Sequence, residues 1–168
     1  MMNIKWTHLR QVLEDFADYF TQQARDNLQG NGSNASYTLY DSFEKIIVVD
    51  DEHFSVSIAL EDYFRFVEEG RGPGKFPPVD KIREWISVKP ISPYPGENGK
   101  IPSVDQLTYL IGRKIATEGT DPQPFFQPAK DDAISRFEEA ISLAIDEDVT
   151  EFVIEQVVDK MGDIFKDL

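Results

Sequence analysis

At 168 residues and 40% apolar content, the chain is long enough to bury one sizeable core, and twelve phenylalanines supply much of it. With no cysteine it can hold no disulfide framework, thiolate nucleophile or cysteine zinc site. A net charge of −14 and a mean hydropathy of −0.39 fit a soluble fold and disfavour sequence-specific nucleic acid binding, because acidic surfaces forgo the counterion release that drives contact with phosphates.

In chain order, Trp6, Leu9, Val12/Leu13, Phe16, Tyr19/Phe20 and Ala24 recur at three-and-four spacing and predict an amphipathic helix from Ile4 to about Asn27. Charges in MMNIKWTHLRQVLEDF stand where a signal peptide needs an apolar core, so neither export nor membrane insertion is expected. A polar turn at residues 29–34 ends the helix. Short runs rich in β-branched and aromatic residues follow at 37–40, 43–49 and 54–60. They read as a hairpin or three-stranded antiparallel meander turning at Asp50-Asp51-Glu52-His53. Residues 63–67 fit a further strand or a helical turn.

Glycines 70, 72 and 74 with Pro73 exclude regular structure from residues 68–78. Pro78 then opens a short helix over 79–88 with Val79, Ile82, Trp85 and Ile86 on one face, ended by Lys89-Pro90. A second proline- and glycine-rich connection, 92–102, leads to a capping-box pattern at Ser103-Val104-Asp105-Gln106. The helix it opens carries Leu107, Leu110/Ile111 and Ile115, and Gly119 is placed as its C-cap. Pro122, Pro124 and Pro128 hold an extended segment with Phe125 and Phe126. From Ala129 the helical period returns through Ile134, Phe137, Ile141 and Ile145. A break at residues 146–148 is left open, and the period resumes through Val153/Ile154, Val157, Met161 and Ile164/Phe165. The whole reads as one α+β domain over 1–168: helix at 1–28, β-meander at 36–67, loops with a short helix at 68–102, helix at 103–119, and an acidic helical segment at 129–168. Apolar stripes on these helices are assigned to the core.

Candidate chemistry is thin. His8 lies on the first helix and His53 in an acidic turn, and neither has a second nitrogen ligand at metal-site spacing. Residues 146–157 fail as a calcium loop, lacking the glycine at the sixth position and a glutamate where Val157 stands. Gly74-Lys75 fails as the end of a phosphate loop, because Glu69 replaces the first glycine and Phe76 the magnesium-binding hydroxyl. No catalytic residue, metal site or cofactor is therefore expected. Charge is uneven: residues 61–120 carry 9 basic and 9 acidic groups, whereas 131–168 carry 3 and 12. The neutral middle of one copy could meet the acidic flank of another.

Several stretches in fixed order carry a resemblance: residues 44–60, YFRFVEEG at 63–70, PGKFPP at 73–78, IREWI at 82–86 with Lys89, IGRKIATEGT at 111–120, and QPFFQPA at 123–129. Over roughly residues 36–145 the chain resembles the tail-completion or neck proteins of tailed bacteriophages, also described as head-tail joining or putative tail-component proteins. It departs from them before Ser42, where they often carry a basic segment and this chain is neutral and asparagine-rich. The resemblance implies a structural virion protein, made in the host cytoplasm, forming a sixfold or twelvefold ring of its own copies. Its neighbours would be portal, adaptor or tail proteins, with no enzymatic role and no membrane contact. The expected subunit-contact residues are Glu68, Gly70, Arg71, Gly72, Pro73, Gly74, Lys75, Phe76 and Pro77, with Pro124, Phe125 and Phe126. Two other classes compete with this reading. One is an acidic interaction module that binds a basic host protein, as an inhibitor or DNA mimic. The other is a small hydrolase working through a carboxylate pair.

Overall fold

The computed structural model describes residues 4–32, 37–50, 53–89, 93–95 and 99–166, with side chains through residue 160. Its elements are α1 (Thr7–Gly30), α2 (Thr38–Asp41), β1 (Glu44–Val49), β2 (Phe54–Ala59), α3 (Phe64–Glu68), α4 (Val79–Val88), α5 (Val104–Glu118) and α6 (Phe126–Lys166). The fold is α+β and mostly helical. No described helix is long and apolar enough to cross a membrane. Contacts group the chain into two compact units, one of residues 1–24, 43–59 and 128–168, the other of residues 25–42 and 60–127.

In the first unit, Leu9, Leu13 and Phe20 of the stripe that the spacing predicts are buried in α1, joined by Ala17, which the spacing leaves out. Alanines 129, 133 and 144 of α6 are buried as well, and such small side chains let helix backbones approach closely. Phe137 packs edge-on against Phe16 at 5.8 Å between ring centres. Ile47, Val49 and Val56 of the hairpin close on the Leu9–Leu13–Ala144 cluster. The strands pair antiparallel from Glu44 opposite Ala59 to Val49 opposite Phe54. Each fully buried leucine or phenylalanine contributes about 1.5–3 kcal/mol.

In the second unit, Leu28, Leu39, Ile82 and Phe125 are buried, and α4 packs along α5. Thr108 is buried in α5 with its hydroxyl donating to the Val104 carbonyl at 2.7 Å, so its burial leaves no orphan donor.

Of the two sheet readings, the hairpin is the one that forms. Residues 37–40 are not a third strand: Tyr37 sits at φ 57°, in the left-handed region, and α2 starts directly after it. Left-handed backbone ends a strand, and Tyr37 and Tyr40 then pack edge-on at a three-residue interval, which suits a helical turn. Residues 63–67 take the helical alternative, as α3. The last helix runs unbroken through residues 146–148. Residues 51–52 of the expected hairpin turn, part of the turn before Tyr37 and part of the 92–102 connection lie outside the described residues, as do the side chains of Met161, Ile164 and Phe165.

Candidate assembly surface

The glycine- and proline-rich segment after α3 is held by backbone bonds at several points. Arg71 and Thr120 exchange two hydrogen bonds, at 3.0 and 2.8 Å, as an isolated antiparallel bridge. The Gly74 N–H donates to the Ala116 carbonyl at the end of α5, and the Gln123 N–H to the Val67 carbonyl, both at 2.9 Å. The Arg71 guanidinium donates to the Lys75 carbonyl across the loop. Two glycines make the bridge possible. Gly70 has φ 71°, and a Cβ there would collide with the Thr120 carbonyl oxygen and lie 2.7 Å from the Pro122 nitrogen. Gly119 has φ 85°, and a Cβ would strike the Arg71 carbonyl oxygen. Gly119 is also the expected C-cap of α5, and the capping box of Ser103 and Gln106 is formed as the sequence predicts.

Glu68 has a structural task. Its carboxylate accepts hydrogen bonds from the backbone N–H groups of Phe125, Phe126 and Gln127, at 2.7, 2.8 and 2.9 Å. These are donors that the first turn of α6 cannot satisfy internally, and a negative charge there also complements the helix dipole. Glu68 is therefore a remote N-cap, supplied from 57–59 residues away. Replacing it with alanine is expected to cost about 1–2 kcal/mol, read as a lower urea midpoint. An unchanged midpoint would show that water replaces the carboxylate.

The candidate contact residues thus separate into two groups. Glu68, Gly70 and Phe125 face inward; Phe125 is fully buried, and Asn27 donates to its carbonyl at 3.1 Å. Phe126 is half-buried, with its ring tilted against Phe64 at 5.8 Å. Gly72, Pro73, Gly74, Lys75, Phe76 and Pro124 are exposed, and Arg71 and Pro77 partly so.

Phe76 links the loop to α5. Its ring lies over Gly112, where any Cβ would collide with it, and stacks on Tyr109 with 6.1 Å between centres and 26° between planes. Beside it, Phe76, Val79, Arg83, Asp105, Thr108 and Tyr109 line a cleft of about 330 Å³. Arg83 bridges to Asp105 at 2.8 Å across its rim. Val79 and Tyr109 stay 42% and 59% exposed, although spacing assigns Val79 to a buried face. Only Ile82 of that face is fully buried. The predicted stripe of α5 is likewise displaced: Thr108 and Gly112 are its buried residues, and Leu110 is exposed. Val79 was not legible as a surface residue, because a four-residue apolar face looks alike whether all or one of its members is covered.

The first unit holds a different constellation. Asp148 of α6, fully buried, accepts from the backbone N–H groups of Thr7 and His8 at 3.1 and 3.0 Å and of Leu9 at 2.9 Å. The His8 ring adds a fourth contact at 2.9 Å. Burial alone pushes the Asp148 carboxyl up, but the Leu9 and His8 N–H groups and the His8 ring outweigh it and hold its pKa below the usual value. His8 is raised, chiefly by its hydrogen bond to Asp148. With Glu151, these residues form the one group of possible metal ligands among the described residues. Four donors already occupy the Asp148 oxygens, so the arrangement fits a second remote N-cap, on α1, better than a cation site. At the hairpin turn, Asp50 accepts the His53 N–H at 2.9 Å, an ordinary turn bond.

No family model, curated protein or solved structure matches this chain.

Proposed function

We propose that this chain is a structural subunit that works by assembling with its own copies, as in the neck or tail-completion ring of a tailed phage, and not by catalysis. The observation that carries the reading is the surface around Phe76: apolar and aromatic side chains left open beside exposed Lys75, on a loop fixed by backbone bonds and glycine contacts. Exposed apolar patches rimmed by charge mark protein-protein contacts, and a rigid loop loses little ordering entropy on docking. Phe76 is the anchor, Val79 and Tyr109 extend it, and Lys75 meets an acidic surface of the next copy. A ring needs two different complementary surfaces on each subunit, and an acidic chain with a neutral middle carries both. The neighbours in a particle are the portal, adaptor or tail proteins that the resemblance implies.

The test is the double variant K75E/V79D. Lys75 is exposed, and Val79 opens α4, where an aspartate favours the helix dipole, so the fold should be kept. Arg71 and Phe76 stay, because both hold the loop. Assembly into rings is expected to be lost by sedimentation, with circular dichroism unchanged. Rings that form as in the parent protein would sink the assignment of this surface, and a stable monomer that binds a basic partner would favour the interaction-module reading.

A further inference from the structure

The distal part of α6 presents an apolar face that none of the described residues covers. Val149, Val153 and Val157 are 36%, 51% and 51% exposed, and Ile154 and Val158 beside them are more so. The sequence pattern assigns Val153, Ile154 and Val157 to the core, and the structure corrects this. The side of α6 turned to the first unit carries Ala144 and Asp148, and Glu155 there pairs with Lys5 at 3.0 Å. At 3.6 residues per turn, Val149, Val153 and Val157 fall within an arc of about 80°. Asp146 and Lys160, each seven residues from Val153, fall within the same arc, both exposed.

This sequence is symmetric about Val153 in shape and antisymmetric in charge. We infer that the distal half of α6 docks on the same segment of a second copy, antiparallel, with the twofold axis at Val153. Val153 then meets its own equivalent, Val149 meets Val157, and Asp146 meets Lys160 at both ends of the seam. A parallel pair would set Asp146 against Asp146 and Lys160 against Lys160, so charge selects the antiparallel arrangement. The interface is isologous and closes after two copies, so it stands apart from the ring contacts of the loop surface. The seam spans about 21 Å, short for an obligate dimer, which makes the association concentration-dependent.

Because the chain has no cysteine, single cysteines report the register cleanly. With a short thiol-to-thiol crosslinker, V153C is expected to give a covalent dimer. V149C alone and V157C alone should give little, and an equimolar mixture of the two should recover it. K160D should lower the V153C yield several-fold, and D146K/K160D should restore it. A V153C chain that stays monomeric at high concentration overturns the inference. So does stronger cross-linking of V149C and V157C singly than together, which marks a parallel pair. The K75E/V79D change should leave the V153C product intact, so failure of the ring reading and failure of this one are read separately.

Discussion

Replacing Asp148 with alanine should destabilise the protein by about 3–5 kcal/mol, because one buried carboxylate satisfies three backbone N–H groups and the His8 ring. For a chain of this length, that lowers the melting temperature by on the order of 10 °C. The D148N change should recover part of the loss, since an amide oxygen can still accept at one position while its NH₂ opposes a donor. The same site sets a pH profile. The Asp148 pKa is lowered on folding, so its contribution is present above the unfolded carboxyl value and is lost as pH falls through the folded one. The His8 pKa is raised, so its contribution is complete below the ordinary value of 6.5 and is lost as pH rises through the folded value. Stability from this pair is therefore greatest in the mildly acidic range between the two. H8Q should flatten the upper limb and weaken the lower one, which the Leu9 and His8 backbone N–H groups still support, whereas D148N should flatten both. Equal pH profiles for the parent protein and D148N would show that the carboxylate carries no such linkage.

The second large effect is expected at Gly119. Its φ of 85° and ψ of −158° lie in a region nearly closed to residues with a side chain, and the added Cβ would meet the Arg71 carbonyl oxygen. The G119A protein must either carry that strain or break the Arg71–Thr120 bridge. The sum is about 3–5 kcal/mol, from backbone strain and lost hydrogen bonds. Gly72 is the control: it has no positive φ and nothing near its Cβ position, so G72A should change stability by less than about 0.5 kcal/mol. Limited proteolysis separates the two, with faster cleavage near residues 70–76 in G119A only. Equal cleavage in both variants would show that the bridge does not hold the loop.

What was legible in the sequence was local. Pro78 and Lys89 bracket α4, the Ser103 and Gln106 pair starts α5, and Gly119 ends it, because each signal acts within a few residues of the boundary it sets. What escaped was long-range. Glu68 and Asp148 look like two of 31 carboxylates until folding brings each to the open end of a helix that begins far away in the chain. Residues 146–148 read as a possible helix break, since three acids in a row disfavour burial; Asp148 is tolerated there because α1 supplies its donors. Residues 37–40 have strand composition, and the left-handed Tyr37 decides against it. Apolar spacing located the stripe of distal α6 but could not say whether the chain itself covers it. Of the candidate contact segment, the loop was visible from its glycines and prolines. Its division into inward-facing Glu68, Gly70 and Phe125 and outward-facing Lys75 and Phe76 depends on α5 and α6.

The proposed assembly through the Phe76 surface can be read from the mass of the native oligomer. Native mass spectrometry of the purified 19.2 kDa protein, with the particle-borne protein measured beside it, tests this most directly. The expected result is a closed oligomer of six or twelve copies that K75E/V79D abolishes. A chain that remains monomer or dimer at every concentration, and is missing from particles, would contradict it.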